Sequence, residues 1–430
     1  MACRLLIIGA EGKYMKVELK YGHSTLILSI PDKASTTVLT PNAPPPLPDP
    51  VKAFEATLDA PAGGPRLEDR KEPRTVGIAI PDETRAVPVK LLLPVLLKKM
   101  MQAWPNLRPD DITIYVGTGL HAPMDMDSVR RMLPQECGFR VVIHDARNSA
   151  MKDFGVTSRG TPVRINADLG SAEFKAVIGN IDPHQFVGFT GGAKGIIVGC
   201  GSPQTIEHNH GLMFHELAQP GVLDGNPVRE DLNEAGRMAG VDFAVNVNLD
   251  PEKRIVGLIS GEPESVLRMG AKTCAAIYGV AYEEPFDVVV ASCGGHPKDI
   301  CLYQAQKGLN LASQALKPGG RILLTAACGQ GIGDDVYYEY VKQFKTVHQA
   351  LEHFKSQPFR MGAHKSFLFG RTLTRFEVVI ASELDADTLR TCHLTKGEPQ
   401  SVIDKWIEGI PGSPRVAVVP SANTTFLYRR

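Results

Sequence analysis

Hydrophobic and polar positions alternate along much of the chain between short apolar runs and longer amphipathic segments. The apolar runs have the length of buried strands, and the longer segments have the spacing of helices. Strands are predicted at 75–82, 111–119, 139–146 and 174–181. Helices are predicted at 87–104, where Pro94 interrupts the pattern, and at 128–136. A β-α-β order of this kind predicts a parallel sheet with helices on both faces.

A second series of the same kind begins at 286–295, which reads FDVVVASCGG. It continues with a helix at 299–316, a strand at 320–328, a helix at 336–354, and strands at 376–382 and 415–421. We therefore predict an α/β fold of two α/β domains, with mostly parallel sheets and an active-site cleft between them. The expected division is an N-terminal domain at 1–280, a C-terminal domain at 281–410, and a final segment at 411–430 that returns to the first domain.

Shorter segments precede the first series. Residues 16–32, KVELKYGHSTLILSIPD, alternate between apolar and polar positions on both sides of Gly22-His23, which predicts a β-hairpin. The proline-rich 40–50, TPNAPPPLPDP, predicts a connector on the surface. The first 14 residues are predicted to be a poorly ordered extension.

Composition and charge narrow the class of protein. Of the 430 residues, 43% are hydrophobic, as in an ordinary globular protein. The formal net charge of zero does not indicate a basic surface that binds nucleic acid. No apolar run reaches the roughly 18 residues of a membrane span, and the N-terminal CRLLIIGA is too short for the core of a signal peptide. The eight cysteines are scattered without zinc-like spacing. We expect reduced thiols in a cytoplasmic protein that binds neither nucleic acid nor membrane.

Polar clusters follow four of the predicted strands. They are PDETR at 81–85, GTGLHAP at 117–123, IDPHQF at 181–186 and CGGHPKD at 293–299. Tyr303, Gln304 and Lys307 come one or two turns into the helix after the last of them. Because active sites of open α/β sheets lie beyond the carboxyl ends of the strands, the four clusters predict a single cleft.

The segment 184–210, HQFVGFTGGAKGIIVGCGSPQTIEHNH, holds a glycine bend and one lysine between histidines. A phosphate-binding loop has Gly directly before its Lys and Ser or Thr directly after it. Here Ala193 precedes Lys194 and Gly195 follows it. A kinase and an NAD-type dehydrogenase are therefore disfavoured, since a G-x-G-x-x-G loop after a strand is absent from the sequence as well.

Each of these residues alone also has an ordinary structural interpretation, which stays open at this point. The interpretations are a backbone-bonded loop histidine for His121 and His184, a helix-capping pair for Asp82 and Arg85, a tight turn for Gly191 and Gly192, a solvated lysine for Lys194, and a surface position for His215. His208 and His210 alternate, so most conformations turn them in different directions.

The order of the motifs, however, resembles that of a known family. DETRAVP, GTGLHAP, HQFVGFTGGAKG, the NH at 209–210 and GGHPKDICLYQAQKG are similar to the nickel-pincer lactate racemase family of 2-hydroxyacid racemases and epimerases. The resemblance extends from the hairpin to the C-terminal strand. It implies a nickel-dependent isomerase that acts on a small 2-hydroxyacid by proton-coupled hydride transfer, through a 2-keto acid. It also implies partner proteins that make the cofactor.

The resemblance assigns a role to each motif residue. Lys194 would carry the nickel-pincer nucleotide, pyridinium-3-thioamide-5-thiocarboxylic acid mononucleotide, in covalent linkage, and His210 would bind the nickel. His121 and His184 would be the catalytic acid and base. The remaining roles are substrate carboxylate binding by Arg85 and Lys307, pocket lining by Tyr303 and Gln304, and cofactor binding by Asp82, Gly191 and Gly192.

The residue types suit this chemistry on their own account. The α-hydrogen of a hydroxy carboxylate leaves more readily as a hydride than as a proton, and no side chain accepts a hydride, so a cofactor is needed. Histidine titrates near neutrality and suits both proton transfers. Imidazole is also a reasonable nickel ligand, and a square-planar nitrogen and sulfur set fits Ni(II). Arg85 offers the fork that a carboxylate accepts.

Departures from the family pattern concern the substrate. An aromatic residue near the substrate of the lactate enzyme falls at or near His364 here, and an aromatic position of the GG-x-P turn is His296. Ala193 stands where a basic residue precedes the lysine. The two histidines predict a substrate more polar than lactate, with His296 among the substrate-binding residues. The remaining alternative is a non-catalytic nucleotide- or metal-binding homologue. It is disfavoured by the presence of both histidine bases together with Arg85 and Lys307.

Overall fold

The computed structural model describes residues 14–42, 44–135 and 138–430, which form two compact units. The middle unit is residues 44–277, and the terminal unit joins residues 14–42 to residues 278–430. The predicted boundary near 280 is close to the observed one. The predicted N-terminal extension lies outside the described residues except for Tyr14, where the first strand begins.

The strands are numbered in chain order. They are β1 (Tyr14–Tyr21), β2 (Ser24–Pro31), β3 (Ser35–Val38), β4 (Val76–Pro81), β5 (Ile112–Gly117), β6 (Arg140–Ile143), β7 (Met151–Val156), β8 (Pro162–Asn166), β9 (Phe174–Asn180), β10 (Pro183–His184), β11 (Gly188–Phe189), β12 (Phe243–Leu249), β13 (Ile255–Gly261), β14 (Gly279–Tyr282), β15 (Phe286–Ser292), β16 (Leu316–Thr325), β17 (Glu377–Ala381), β18 (Thr395–Lys396), β19 (Arg415–Val419) and β20 (Phe426–Arg429).

The helices follow the same order. They are α1 (Pro50–Asp59), α2 (Val89–Ala103), α3 (Met126–Met132), α4 (Ala167–Ser171), α5 (Lys194–Ile197), α6 (Pro203–Gly211), α7 (Pro227–Met238), α8 (Pro263–Tyr278), α9 (Leu302–Ala312), α10 (Asp335–Val341), α11 (Val347–Lys355), α12 (His364–Leu373), α13 (Ala386–Thr391) and α14 (Pro399–Gly409).

The middle unit is built on a six-stranded sheet of order β13-β12-β9-β4-β5-β6. Its neighbours run parallel except β12 and β13, which are antiparallel. Ile78 and Ile178 belong to the same buried core as Leu92 and Leu96 of α2. The alternate residue Val177 lies against Gly195 of α5, on the opposite face of the sheet. Helices therefore cover both faces, as predicted.

Helix α2 is continuous through Pro94, although the sequence predicted an interruption there. Pro94 lies on the exposed face of the helix, between the buried pairs Leu92-Leu93 and Leu96-Leu97. On that face, water can satisfy the carbonyl group that loses its intrahelical partner. Burial of the leucine face therefore outweighs the local cost of the proline.

The terminal unit has a parallel six-stranded sheet of order β18-β17-β16-β15-β19-β3. The predicted hairpin is confirmed, with β1 antiparallel to β2 around Gly22, whose φ is 54°. Val17 and Leu28 of the hairpin share one core with Val288 of β15 and Trp406 of α14.

Two parts of the predicted domain division are wrong. The hairpin and β3 belong to the terminal unit, because β3 pairs in parallel with β19 and the hairpin completes the core beneath that sheet. The final segment does not return to the first domain, since β19 lies inside the terminal sheet and β20 pairs with β14. The predicted helix at 336–354 is also two helices, because Thr346 forms a capping box with Gln349 and starts α11 afresh.

The cysteines for which the structure gives a state are free and buried, as predicted: Cys200, Cys274, Cys293, Cys301, Cys328 and Cys392. Within the described residues, no helix combines the length and the apolar character that crossing a membrane requires.

Candidate active site

Asp82 and His121 meet at the carboxyl ends of β4 and β5, which are neighbours in register from Val76 and Ile112 onward. The Nδ1 atom of His121 lies 2.6 Å from Oδ2 of Asp82, and the hydroxyl of Thr84 donates to Oδ1 at 2.5 Å. Burial raises the pKa of Asp82, but the hydrogen bonds from His121 and Thr84 and the charge of Arg85 outweigh it, so the pKa is below its ordinary value. The carboxylate therefore stays ionised and orients the imidazole.

The other ring nitrogen of His121 is available for chemistry. The side chain is 55% exposed, and Nε2 makes no hydrogen bond to any residue that the structure describes. An imidazole whose Nδ1–H is held by a carboxylate presents an unprotonated Nε2, which is the form that a general base requires.

Lys194 begins the short helix α5, directly after the glycine bend. Burial, together with the positive charges of Arg85 and Arg229, lowers the pKa of Lys194 to about 7, and Asp82 opposes the shift. A large fraction of this amine is therefore uncharged and nucleophilic at neutral pH. The interpretation as an ordinary solvated lysine does not fit this environment.

His210 lies on the buried side of α6 and is 6% exposed. Its Nδ1 is 3.2 Å from Oδ1 of Asn209, and its ring packs edge-on against Phe186 at 5.1 Å. Burial and the nearby Lys194 lower the pKa of His210 to about 3. A neutral imidazole is the form that binds a metal ion.

His208 faces the other way, as the alternation predicted. It is exposed, and its Nδ1 lies 2.8 Å from the hydroxyl of Thr161. His215 is exposed, as predicted, and its Nδ1 accepts the backbone N–H of Leu217 at 3.1 Å.

His184 is in the two-residue strand β10, opposite Gly188 of β11. Its ring packs edge-on against Phe186 at 4.6 Å, so Phe186 contacts both His184 and His210. The middle unit thus brings together most of the predicted catalytic and cofactor residues. Asp82 interacts electrostatically with His121 and Lys194, and Lys194 interacts with His210.

Gly191 and Gly192 have positive φ values of 94° and 60°. A Cβ atom on Gly191 would meet Ile181 at 2.6 Å and Asn246 at 2.8 Å, and the backbone N–H of Gly192 donates to Asn246 Oδ1 at 2.9 Å. The turn and the packing on Asn246 therefore require glycine at Gly191 whatever binds nearby. A contact of the pair with the cofactor remains a prediction.

Arg229 on α7 is a site residue that the sequence did not reveal. It is 1% exposed, and its guanidinium donates to the backbone carbonyl groups of Val187, Phe189 and Gly191. It fixes the loop between His184 and Lys194 and contributes to the low pKa of Lys194. Nothing in the surrounding NPVREDLNEAG distinguishes it from a surface arginine.

In the terminal unit, Tyr303, Gln304 and Lys307 share one accessible face of α9. His364 starts α12, and its ring is edge-on to Tyr303 at 6.3 Å. His364 is thus near the predicted pocket residues, as the sequence suggested.

His296 is placed differently. Its ring stacks on His23 at 4.1 Å, and both line a cavity of about 470 Å³ with Tyr21, Asp299 and Glu383. Tyr303, Gln304 and Lys307 are not among the residues that line this cavity. The structure therefore does not group His296 with the other predicted substrate-binding residues.

The chain is similar to known proteins along most of its length. Residues 21–221 match the lactate racemase N-terminal domain, and residues 281–420 match the lactate racemase C-terminal domain. A lactate racemase from Thermoanaerobacterium thermosaccharolyticum is 31% identical over 354 residues, 79% of this chain and 81% of that protein. One from Lactiplantibacillus plantarum is 29% identical over 356 residues, 80% of this chain and 82% of that protein.

Solved structures give the same result. The lactate racemase apoprotein from T. thermosaccharolyticum has a TM-score of 0.87 at 26% identity, covering 96% of this chain and all of that one. A Thermotoga maritima protein has a TM-score of 0.62 at 18% identity, covering 88% of this chain and 98% of that one, and shows the fold alone. The chain belongs to the lactate racemase family. This confirms the predicted family, the two-domain α/β fold and the predicted enzyme class, an isomerase.

Proposed function

We propose that this protein is a nickel-dependent racemase or epimerase of 2-hydroxy acids that works with a pincer nucleotide attached to Lys194. The observation that carries the proposal is the arrangement in the middle unit, where a carboxylate-held histidine, a lysine with a pKa of about 7 and a buried neutral histidine interact electrostatically. Family membership and the relatives named lactate racemase support it.

The residues fit the proposed cofactor. An uncharged Lys194 amine is the nucleophile that would hold the nucleotide through one of its thiocarbonyl arms, and His210 would offer a neutral nitrogen to nickel. In the part of the chain that the structure describes, no three His, Cys, Asp or Glu side chains group as a metal site. A metal ion at His210 would therefore take its other donors from the nucleotide. When bound, the group supplies the hydride acceptor that side chains lack.

The protein's own side chains transfer the hydroxyl proton of the substrate. His121, held through Nδ1, takes the hydroxyl proton of one enantiomer at Nε2, and ionised Asp82 stabilises the imidazolium that forms. His184 does the same for the other enantiomer. Arg85 is exposed beside Asp82 and His121, with Nη1 3.1 Å from the Thr84 hydroxyl, and its guanidinium suits the substrate carboxylate. The family resemblance gives Lys307 of the terminal unit the same role.

The substrate is expected to be more polar than lactate. His364 beside Tyr303 supports this expectation, whereas His296 does not, because Tyr303, Gln304 and Lys307 are not among the residues that line its cavity. Loading of the nucleotide is expected to need cofactor-biosynthesis proteins, and the cytoplasm is the expected compartment.

The test is a panel of enantiopure 2-hydroxy acids incubated with protein made alongside the cofactor-biosynthesis machinery. Chiral chromatography should show both enantiomers formed from either one. A loaded protein that interconverts no member of the panel would contradict the proposal, and a non-catalytic homologue would behave in that way.

Replacement of His210 by alanine is expected to remove most of the bound nickel from loaded protein. His208→Ala is the matched control, because His208 is on the same helix but exposed and bonded to Thr161. Metal analysis of both variants makes the comparison. Equal nickel loss in both would contradict the assignment of His210.

Asp82→Asn is expected to slow racemisation in both directions by roughly 10- to 100-fold, a part of what positioned acid–base groups contribute. The neutral amide cannot stabilise the imidazolium of His121, although its size is the same. The intact mass of loaded Asp82→Asn should show an unchanged adduct, and Asp82→Glu should recover part of the rate. Loss of the adduct would instead place Asp82 in cofactor binding.

A further inference from the structure

A buried hydrogen-bond network lies behind His210 in the middle unit. Asp231 of α7 is fully buried, and so is Asn209, which precedes His210 on α6. The Asn209 side chain donates from Nδ2 to Oδ2 of Asp231 at 2.8 Å and to the carbonyl oxygen of Val228 at 3.0 Å. Its Oδ1 atom lies 3.2 Å from Nδ1 of His210. The network therefore leads from a carboxylate to the ring of the histidine assigned to nickel.

The partners of Asn209 decide which way its amide faces. A carboxylate oxygen of Asp231 and the carbonyl oxygen of Val228 are acceptors, so the NH2 group of the amide must face them. The amide oxygen then faces His210, and an amide oxygen can only accept. The hydrogen between the two side chains is therefore on Nδ1 of His210. In a neutral imidazole the other nitrogen, Nε2, then carries the lone pair that a metal ion needs.

The carboxylate at the far end of the network is held by neutral groups. The hydroxyl of Thr157 donates to Oδ1 of Asp231 at 2.5 Å, and the hydroxyl of Thr161 donates to Oδ2 at 2.7 Å, beside the Asn209 amide. Burial of a carboxylate costs free energy that such bonds offset only in part, and an apolar side chain of the same size would stabilise the fold equally well. The acceptor at Asp231 therefore points to a role in the site.

We propose that Asn209 and Asp231 are positioning residues for the nickel ligand. Asp231 fixes the Asn209 amide, and the amide oxygen keeps the hydrogen of His210 on Nδ1, so that Nε2 is the nitrogen that binds nickel. Partners of this kind fix the tautomer and the orientation of metal-binding histidines. The role towards nickel rests on the proposed function, whereas the tautomer of His210 is a property of the apoprotein.

The first measurement is the tautomer of His210 in the apoprotein. Long-range proton–nitrogen NMR of protein with isotope-labelled histidine should show the hydrogen on Nδ1, and the signals that disappear in His210→Ala assign the ring. Asn209→Leu, of similar size, removes the acceptor and should abolish the preference for the Nδ1–H form. A residue that only fills space behind the ring would leave the tautomer unchanged.

Thr157→Val is the matched control. It removes a hydrogen bond to the same carboxylate at Oδ1, whereas Asn209 bonds to Oδ2, so the tautomer should stay that of the wild type. Asp231→Asn leaves one acceptor oxygen in place of two and should shift the tautomer in the direction of Asn209→Leu, but less. Circular dichroism and thermal unfolding check folding. Asn209→Ser, whose hydroxyl can donate as well as accept, replaces the leucine variant if that one does not fold.

The second measurement is nickel retention by loaded protein in a titration with EDTA. Asn209→Leu should release nickel at a chelator concentration roughly 10- to 100-fold lower than the wild type does, the usual loss of metal affinity when such a partner is removed. Intact mass should show an unchanged nucleotide adduct, because Lys194 is intact. Thr157→Val should hold nickel as the wild type does.

The proposal is wrong if wild-type His210 carries its hydrogen on Nε2, or if Asn209→Leu leaves either the tautomer or the nickel retention unchanged. Equal changes in Thr157→Val would also refute it, since the variants would then only loosen the packing. A wild-type tautomer in Asp231→Asn would remove Asp231 from it. A loaded wild type without nickel would refute the proposed function instead, and the NMR measurement would still decide whether Asn209 sets the tautomer.

Discussion

Lys194→Ala is expected to yield a protein that acquires no covalent nucleotide and has no racemase activity. The attachment needs an amine that is uncharged at neutral pH, and the pKa of about 7 distinguishes Lys194 from a solvated lysine at 10.5. Intact-mass spectrometry of protein made with the cofactor-biosynthesis machinery should show an adduct in the wild type and none in the variant. Lys194→Arg is the control that keeps a cation without a nucleophile, and it should also lack the adduct.

The low pKa predicts a pH dependence that the apoprotein can show by itself. Because the folded-state pKa is lowered, Lys194 gains its reactive form as the pH rises through about 7, whereas exposed lysines do so near 10.5. Acetylation followed by peptide mass spectrometry should therefore label Lys194 fastest at pH 7 to 8. Arg85→Ala removes a neighbouring positive charge and should move the midpoint to higher pH. An adduct in Lys194→Ala, or a midpoint near that of exposed lysines, would contradict the assignment.

The strands and the parallel sheets followed from the apolar runs, because β4, β9 and β12 are buried along almost their whole length. The apolar runs did not predict which segments belong to which of the two units. β3 is a short strand of Ser, Thr and Val, and its partner β19 comes from the opposite end of the chain. Local pattern contains no information about such a distant pairing, so the hairpin and β3 were assigned to the wrong unit.

The site shows the same limit. The strand-end clusters predicted that Asp82 and His121 would lie close together, and the structure shows that β4 and β5 are neighbours. The hydrogen bond between the two side chains could not be predicted from the sequence. Arg229 was missed because a charged residue in an amphipathic helix normally faces solvent. Its guanidinium is instead buried against the backbone carbonyl groups of the loop before Lys194.

Alanine variants of His121 and His184 are each expected to lose roughly 10²- to 10⁴-fold in racemisation rate in both directions. A complete turnover needs deprotonation of the hydroxyl by one base and return of a proton by the other, so neither direction can avoid either residue. Both variants should keep the mass of the covalent adduct and the bound nickel, because Lys194 and His210 are intact. Chiral chromatography measures the rates, and the mass and metal content serve as controls for loading.

The first half-reaction, measured alone, distinguishes the roles of the two histidines. Conversion of one enantiomer to its keto acid needs only the base that faces its hydroxyl group. In single-turnover experiments quenched with acid, His121→Ala should still form the keto acid from one enantiomer, and His184→Ala should form it from the other. The exposed Nε2 of His121, held by Asp82, and the position of His184 on a separate strand support this division of roles. If both variants lose both half-reactions to the same degree, or if either racemises at the wild-type rate, the two histidines are not a pair of opposed bases.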